Sequence, residues 1–280
     1  MKSRSFSMDG SMIKIIAYIT MVIDHVTISL WQTYLDGIGI NHLTDPVYQI
    51  GKGIGRMAFV LFVFGLIEGM IHTHDPIRYL QRLFCFAIIS EAPFDLACYG
   101  TVFYVDHQNV MFTLFLGALV IFLLRKTEPL TRQYNAVKRW LIQAGIILIP
   151  ALAAEFIRSD YRFFGVLLIA FLYLGRANEI DTIKAGLLAL LIGRYVEAFF
   201  QHPEYVSQYF FTARYWKWVF QFYENEILFV TGFVVWHFYN GKRGKQLPHH
   251  LTYWIYPVHL LLLGIIRMAC FTVSSGAIRR

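Results

Sequence analysis

Long apolar runs separated by short polar breaks set the pattern of this chain. Runs near 12–33, 54–72, 78–99, 108–124, 139–157, 162–175, 182–200, 225–240 and 251–273 come close to the roughly 20 residues that carry an α-helix across a bilayer core. They predict nine membrane-spanning helices. Eight or ten are the alternatives, because the sixth run is short and the seventh carries Arg194 and Glu197. The segment YVSQYFFTARYWKWVFQFY, 205–223, sets aromatic rings beside Arg214 and Lys217. That composition suits the membrane–water boundary, and the other reading is a tenth, poor span. No long soluble stretch fits between the runs and no internal repeat shows. Residues 1–280 therefore read as one integral membrane domain, an all-α polytopic bundle embedded in lipid.

Composition supports this and removes one function class. The chain is 57% hydrophobic and 15% charged, where a soluble domain carries roughly a quarter charged residues. Its net charge of +7 would suggest nucleic acid in a soluble protein. Here it reads as cytoplasmic loops enriched in Lys and Arg, and the bias between alternate loops favours a cytoplasmic N-terminus. The basic start MKSRSFSMDGSMIK runs into an apolar span with no small-residue cleavage pattern, so the first span is expected to stay as a signal anchor. Cys85, Cys98 and Cys270 fall in apolar runs without a CxxC pair. They read as small buried hydrophobes rather than ligands or disulfides.

Ionisable groups inside spans are costly and mark functional candidates. Lys14, Asp24 and His25 lie in the first helix, Arg56 and Glu68 in the second, Glu91 and Asp95 in the third, and Glu155, Arg194, Glu197, His259 and Arg267 later. In KIIAYITMVIDH, Lys14 and His25 are eleven residues apart. At about 100° and 1.5 Å per residue they share one helix face, separated by about 16 Å. Lys14 can snorkel to the inner surface and meet a phosphate, with the imidazole three turns deeper. Coenzyme A has this layout, with phosphates at one end of an extended pantetheine arm and a thioester at the other. A neutral buried imidazole suits a general base or nucleophile. Asp24 is about 100° round the helix from His25, so its partner is expected on another helix. Taken alone, a lysine at a helix end is ordinarily an interface anchor and a membrane histidine a structural hydrogen-bonder, and Lys-x10-His is a weak motif.

Longer blocks carry a resemblance. KIIAYITMVIDH, GRMAFVLFVFGLIEGMIHTHDPIRYLQRLFCFAIISEAPFDL, QNVMFTLFLG, SDYRFFGVLLIAFLYL and YNGKRGKQLPHHLTYWIYPVHLLLLG resemble, in the same order, the TraX family of integral membrane proteins, from about 14 to 267. The resemblance implies a protein of the bacterial cytoplasmic (inner) membrane. The best-known member acetylates the N-terminus of the conjugative pilin, and the family is also associated with fimbrial assembly. It looks related to the type-3 membrane acyltransferases, which carry Arg-x10-His in their first helix with the histidine catalytic. Lys14-x10-His25 stands at that place. Lysine keeps the charge and loses the planar fork. The implied activity is transfer of an acetyl group from cytosolic acetyl-CoA to an amine or hydroxyl of a membrane or exported acceptor, a pilin-like protein or a glycan.

The remaining candidates follow from local pattern. Glu91 and Asp95 flank Pro93 in SEAPFD, a kink expected to line a cavity, with Glu91 a proton acceptor or partner of His25; a purely structural kink is the other reading. Glu68 and His72 are i,i+4 neighbours. Arg56 could meet an acceptor or pair with an acid such as Glu68 or Asp95. Asn109 and Thr113, i,i+4, offer two hydrogen-bonding groups on one face. Tyr256 and His259 are i,i+3 in YPVH, where Tyr256-Pro257 also fits a helix start. In YNGKRGK, Lys242, Arg243 and Lys245 follow an Asn-Gly turn; they read as phosphate ligands with Lys14 or as a plain positive-inside loop. No metal site is expected. Two readings compete with the enzyme: a transporter using the buried ionisable groups, and a non-catalytic pilus or fimbria assembly factor.

Overall fold

The computed structural model of the chain describes residues 7–201, 203–209, 212–213, 227–245 and 248–277. The described chain is helical, without strands. The helices are α1 Gly10–Val26, α2 Thr33–Gly37, α3 Pro46–His72, α4 Pro76–Tyr99, α5 Val110–Thr131, α6 Ala136–Phe156, α7 Arg162–Leu174, α8 Glu179–Gln201, α9 Pro203–Tyr209, α10 Ile227–His237 and α11 His249–Ala277. A π-helical segment, Thr27–Gln32, joins α1 to α2 without a break. Starts are specified locally. Asp9 Oδ1 accepts from the Ser11 and Met12 amides at 3.0 and 2.9 Å. Asn109 and Asn135 cap α5 and α6 in the same way, and Pro46 and Pro76 occupy first-turn positions where no N–H is needed.

Two compact units emerge, one from 1–65, 88–105 and 224–280, the other from 66–87 and 106–223. In the first, α1 lies against α3 through glycines at helical spacing. A Cβ on Gly51 would collide with the Thr27 side chain, and one on Gly55 with the Asp24 carboxylate. Small residues at i and i+4 allow this close approach. Met8, Ile13, Ala17, Leu61 and Phe64 form a buried cluster, with Trp236 and Tyr239 rings 4.7 and 4.9 Å from Phe64. Helix α11 packs along α1. Tyr18 Oη donates to the Thr252 carbonyl at 3.2 Å, and His25 meets His259 at 3.0 Å, both across a sequence separation of 234. The constant separation makes α1 and α11 parallel and in register over two turns.

In the second unit α7 is buried on all sides from Phe163 to Ala170, as an all-round apolar helix must be, with α5, α6 and α8 packed about it. Its start is a strained turn. Arg158, Tyr161 and Arg162 have positive φ. Hydrogen bonds hold them there: Gln108 N to the Arg158 carbonyl at 3.0 Å, Asp160 N to the Gln108 carbonyl at 2.8 Å, and Phe163 N and Arg162 Nη1 to Glu155 at 3.2 Å.

Helices occur at all nine expected runs, but nine crossings are not established. Among the described residues five helices are long and apolar enough to cross a membrane: Gly10–Gly37, Pro46–His72, Val110–Thr131, Ala136–Phe156 and Thr252–Phe271. Helix α7 is apolar but short, and α4 dilutes its hydropathy with Arg82, Glu91 and Asp95. Most of 205–223 lies outside the described residues, as do the side chains of Arg194 and Glu197. The cysteine expectation is corrected. Cys85 and Cys270 are exposed and Cys98 half-buried, because an apolar helix face in a membrane protein can point outward at no cost.

Candidate functional site

Where α1 meets α11, three rings converge. His25 and Tyr256 are each 6% exposed. The His25 and His259 ring centroids are 4.9 Å apart, and Tyr256 presents its ring edge-on to both, at 5.9 Å from His25 and 5.6 Å from His259. Tyr256 lies two turns inside α11, not at its start. The hydrogen bonds dictate the tautomers. His259 Nδ1 is 2.8 Å from the Ile255 carbonyl, which only accepts, so His259 Nδ1 carries a proton. In a neutral ring His259 Nε2 is then an acceptor. Its partner at 3.0 Å, His25 Nδ1, must donate. His25 Nε2 is left as the nitrogen with the lone pair, the atom a base uses.

At the other end of α1 the loop after α10 is clasped to the helix start. Met8 N donates to the Phe238 carbonyl, Asn240 N to the Met8 carbonyl and Gly10 N to the Lys242 carbonyl, at 2.8–2.9 Å. Gly244, at φ 70°, sits where any Cβ would strike the Asp9 carboxylate and the Ser11 hydroxyl. The clasp exposes Lys242, Arg243 and Lys245 and brings Arg243 within electrostatic reach of Lys14. The expected grouping of Lys14 with this loop is therefore present. Asp9 already occupies the amide end of α1, so an anion arriving here would meet side-chain cations rather than the helix terminus. Hydrogen bonds from the Ser11 hydroxyl and the Met12 amide hold the Asp9 carboxyl below its ordinary value.

The other candidates are placed as follows. Asp24 is turned away from His25 and pairs with Lys52 of α3 at 2.8 Å; its partner is on another helix, as its angular position requires. Arg56 lies one turn beyond Lys52, within electrostatic reach of Tyr48. Glu91 is half-buried on α4. Buried Asp95 accepts from the Tyr104 amide at 2.8 Å and closes the loop after α4. Glu68 and His72 pair at 3.5 Å. Asn109 and Thr113 belong to the second unit. The Asn109 amide donates to the Ala87 carbonyl at 2.8 Å while its carbonyl oxygen caps α5. The Thr113 hydroxyl bonds Ser159 Oγ at 2.8 Å and also engages the Asp160 carbonyl. Tyr18, bonded to the Thr252 carbonyl, and Lys52, paired with Asp24, make contacts that sequence reading did not assign. Tyr18 could have been found, since it shares the helix face of Lys14 and His25. Among the described residues no group of three or more His, Cys, Asp or Glu side chains is arranged to hold a metal ion.

Lys14 and His25 stand on one face of α1 with His259 of α11 behind His25, and all three lie within the sequence blocks that resemble the family. The family model described as TraX protein matches residues 9–267. This chain belongs to the TraX family. A relative in Dichelobacter nodosus, named "Probable fimbrial assembly protein FimC, serogroup H1", is 25% identical over 279 residues, covering 95% of this chain and 98% of the relative. No solved structure matches.

Proposed function

We propose that this TraX protein is a membrane-embedded acyltransferase that moves an acetyl group from cytosolic acetyl-CoA to an amine or hydroxyl of an exported or membrane acceptor. The observation that supports it most is the tautomer order at His25. A base must offer a lone pair to the acceptor and keep a hydrogen bond behind it that strengthens as it takes up charge. His259 provides that bond. The Lys14 cation, about 16 Å along α1 from His25, and Arg243 of the neighbouring loop suit the phosphates of the donor, with the pantetheine arm running past Tyr18. As the acceptor attacks the thioester carbonyl, a C–N or C–O bond forms and the C–S bond breaks. His25 Nε2 takes the acceptor's proton and returns it to the coenzyme A thiolate. With the N-terminus cytoplasmic in the bacterial inner membrane, the thioester would reach into the bilayer from the inner side.

The acceptor class is suggested by the FimC relative, whose name ties it to fimbriae. A pilin-like protein is therefore the first acceptor to try and a surface glycan the second. That same name favours one other reading, a non-catalytic assembly factor. The deciding experiment is acetyl-CoA turnover by purified protein in lipid, with and without acceptor peptide, comparing wild type with His25→Ala at matched thermal melts. Turnover in wild type and its loss in the variant is the expected result. Absence of both donor binding and turnover in wild type, with His25→Ala still supporting pilus assembly in cells, would leave the assembly factor.

A further inference from the structure

Ser29 lies one helical turn beyond His25, in the π-helical segment Thr27–Gln32. Its side chain is fully buried, and its hydroxyl has no hydrogen-bond partner among the described residues. Its neighbours behave differently. Thr20, Thr27 and Thr33 each donate back to a carbonyl four residues earlier, Ile16, Ile23 and Ser29, at 2.7–2.9 Å. That bond is the ordinary way for a helical hydroxyl to be satisfied in an apolar setting, and leaving it unmade costs stability.

The backbone adds a second, independent sign. A π-helical stretch is uncommon and tends to occur at functional sites. Because it winds more slowly than an α-helix, the residue four positions on stays close to the same face. Ser29 thus follows His25 on the side of α1 that carries the His259 contact, and the π segment itself packs on α11. The face then reads, in order, Lys14, Tyr18, His25 and Ser29.

We infer that the Ser29 hydroxyl is the hydrogen-bond donor for the thioester carbonyl oxygen of the acyl donor, one turn beyond the His25 base. This rests on the acyltransferase reading and names the catalytic group that reading lacks. As the acceptor attacks, the carbonyl carbon becomes tetrahedral and its oxygen gains negative charge. A donor already dehydrated and not committed elsewhere stabilises that charge without reorganisation. The role as donor is favoured over that of covalent acyl carrier. A serine nucleophile would be hydrogen-bonded to its base, and Ser29 has no such bond.

The test compares wild type, Ser29→Ala, Ser29→Cys and His25→Ala in lipid, with acetyl-CoA and acceptor peptide, alongside thermal melts and intact-protein mass after acetyl-CoA alone. The expected result is a kcat loss of about 10²–10³-fold in Ser29→Ala, with KM for acetyl-CoA and the melt near wild type. Ser29→Cys, a weak donor, would recover only part of the rate. An active wild type with an equally active Ser29→Ala overturns this inference and leaves the His25 reading standing. An acetyl adduct on wild type that Ser29→Ala abolishes overturns it in favour of an acyl-serine. A wild type inactive with every acceptor overturns both.

Discussion

Asp24 and His25 are adjacent in sequence and serve different helices. Asp24 is held by Lys52 at 2.8 Å over the groove at Gly55, while His25 turns to His259 on α11. The sequence offers both as ionisable candidates of the first helix and sets the partner of Asp24 on another helix. The geometry gives Asp24 to the α1–α3 contact.

Gly55→Ala would drive a methyl group into the Asp24 carboxylate. Overpacking of this kind is expected to cost about 1–3 kcal/mol, visible as a lower melting temperature. Turnover per folded molecule should stay near wild type. A large kcat loss at unchanged stability would place Asp24 in the catalytic machinery.

His259 fixes the His25 tautomer without touching the acceptor. His25→Ala is expected to lower kcat by about 10²–10⁴-fold, the range for general bases, and His259→Ala by less. Nitrogen-15 NMR of labelled histidine should show the Nδ1–H form for His25 in wild type and a mixture in His259→Ala. A pure Nε2–H signal for wild-type His25 would contradict the arrangement.

The charge cluster of Lys14 and Arg243 should act on donor binding. Lys14→Gln with Arg243→Gln is expected to raise KM for acetyl-CoA with kcat little changed, the signature of lost uniform binding. The effect should shrink at high salt. Acetyl-pantetheine, which lacks the nucleotide phosphates, should be indifferent to the double substitution. Equal loss with both donors would place the cations elsewhere in the mechanism.

Asp9 makes the start of α1 sensitive to acid. Its folded carboxyl is held below the ordinary value by the Ser11 hydroxyl and the Met12 amide. The cap's contribution is therefore complete above the unfolded carboxylate range and is lost as pH falls through the depressed folded value. Asp9→Asn keeps a capping oxygen and removes the titration. Melting curves of the variant should be flatter than wild type on the acid side and similar at neutral pH.

Asn109 and Thr113 are expected to matter for folding rather than chemistry. Asn109→Ala removes a cap and a buried bond to Ala87, and Thr113→Val removes the ties to Ser159 and Asp160. Each should lower stability by about 1–3 kcal/mol, while KM for acetyl-CoA is unchanged. A donor-specific KM change at unaltered stability would make them substrate-pocket residues instead.

Much of the fold was legible in the chain because helices, caps and breaks are local events. The hydrophobic runs located the helices, and the Lys14–His25 spacing put both residues on one face by helix geometry alone. The i,i+4 pair Glu68–His72 was legible for the same reason. The number of crossings was not, since Arg82, Glu91 and Asp95 dilute α4, and α7 is short for a bilayer although it is apolar from Phe163 onward. The cysteines misled because an apolar run does not say which face turns outward.

The site divides along the same line. Sequence by itself determined an all-helical membrane protein of the TraX family, with the cation and imidazole of the first helix in line. Tertiary structure decided that α11 runs parallel to α1 at a constant separation of 234 residues, that His259 stands behind His25, that Asp24 belongs to Lys52, and that the Ser29 hydroxyl has no partner among the described residues. Periodicity records how much of a helix is buried. Which partner buries it depends on side-chain shapes meeting across hundreds of residues, and small ones such as Gly51 and Gly55 set how closely the helices approach.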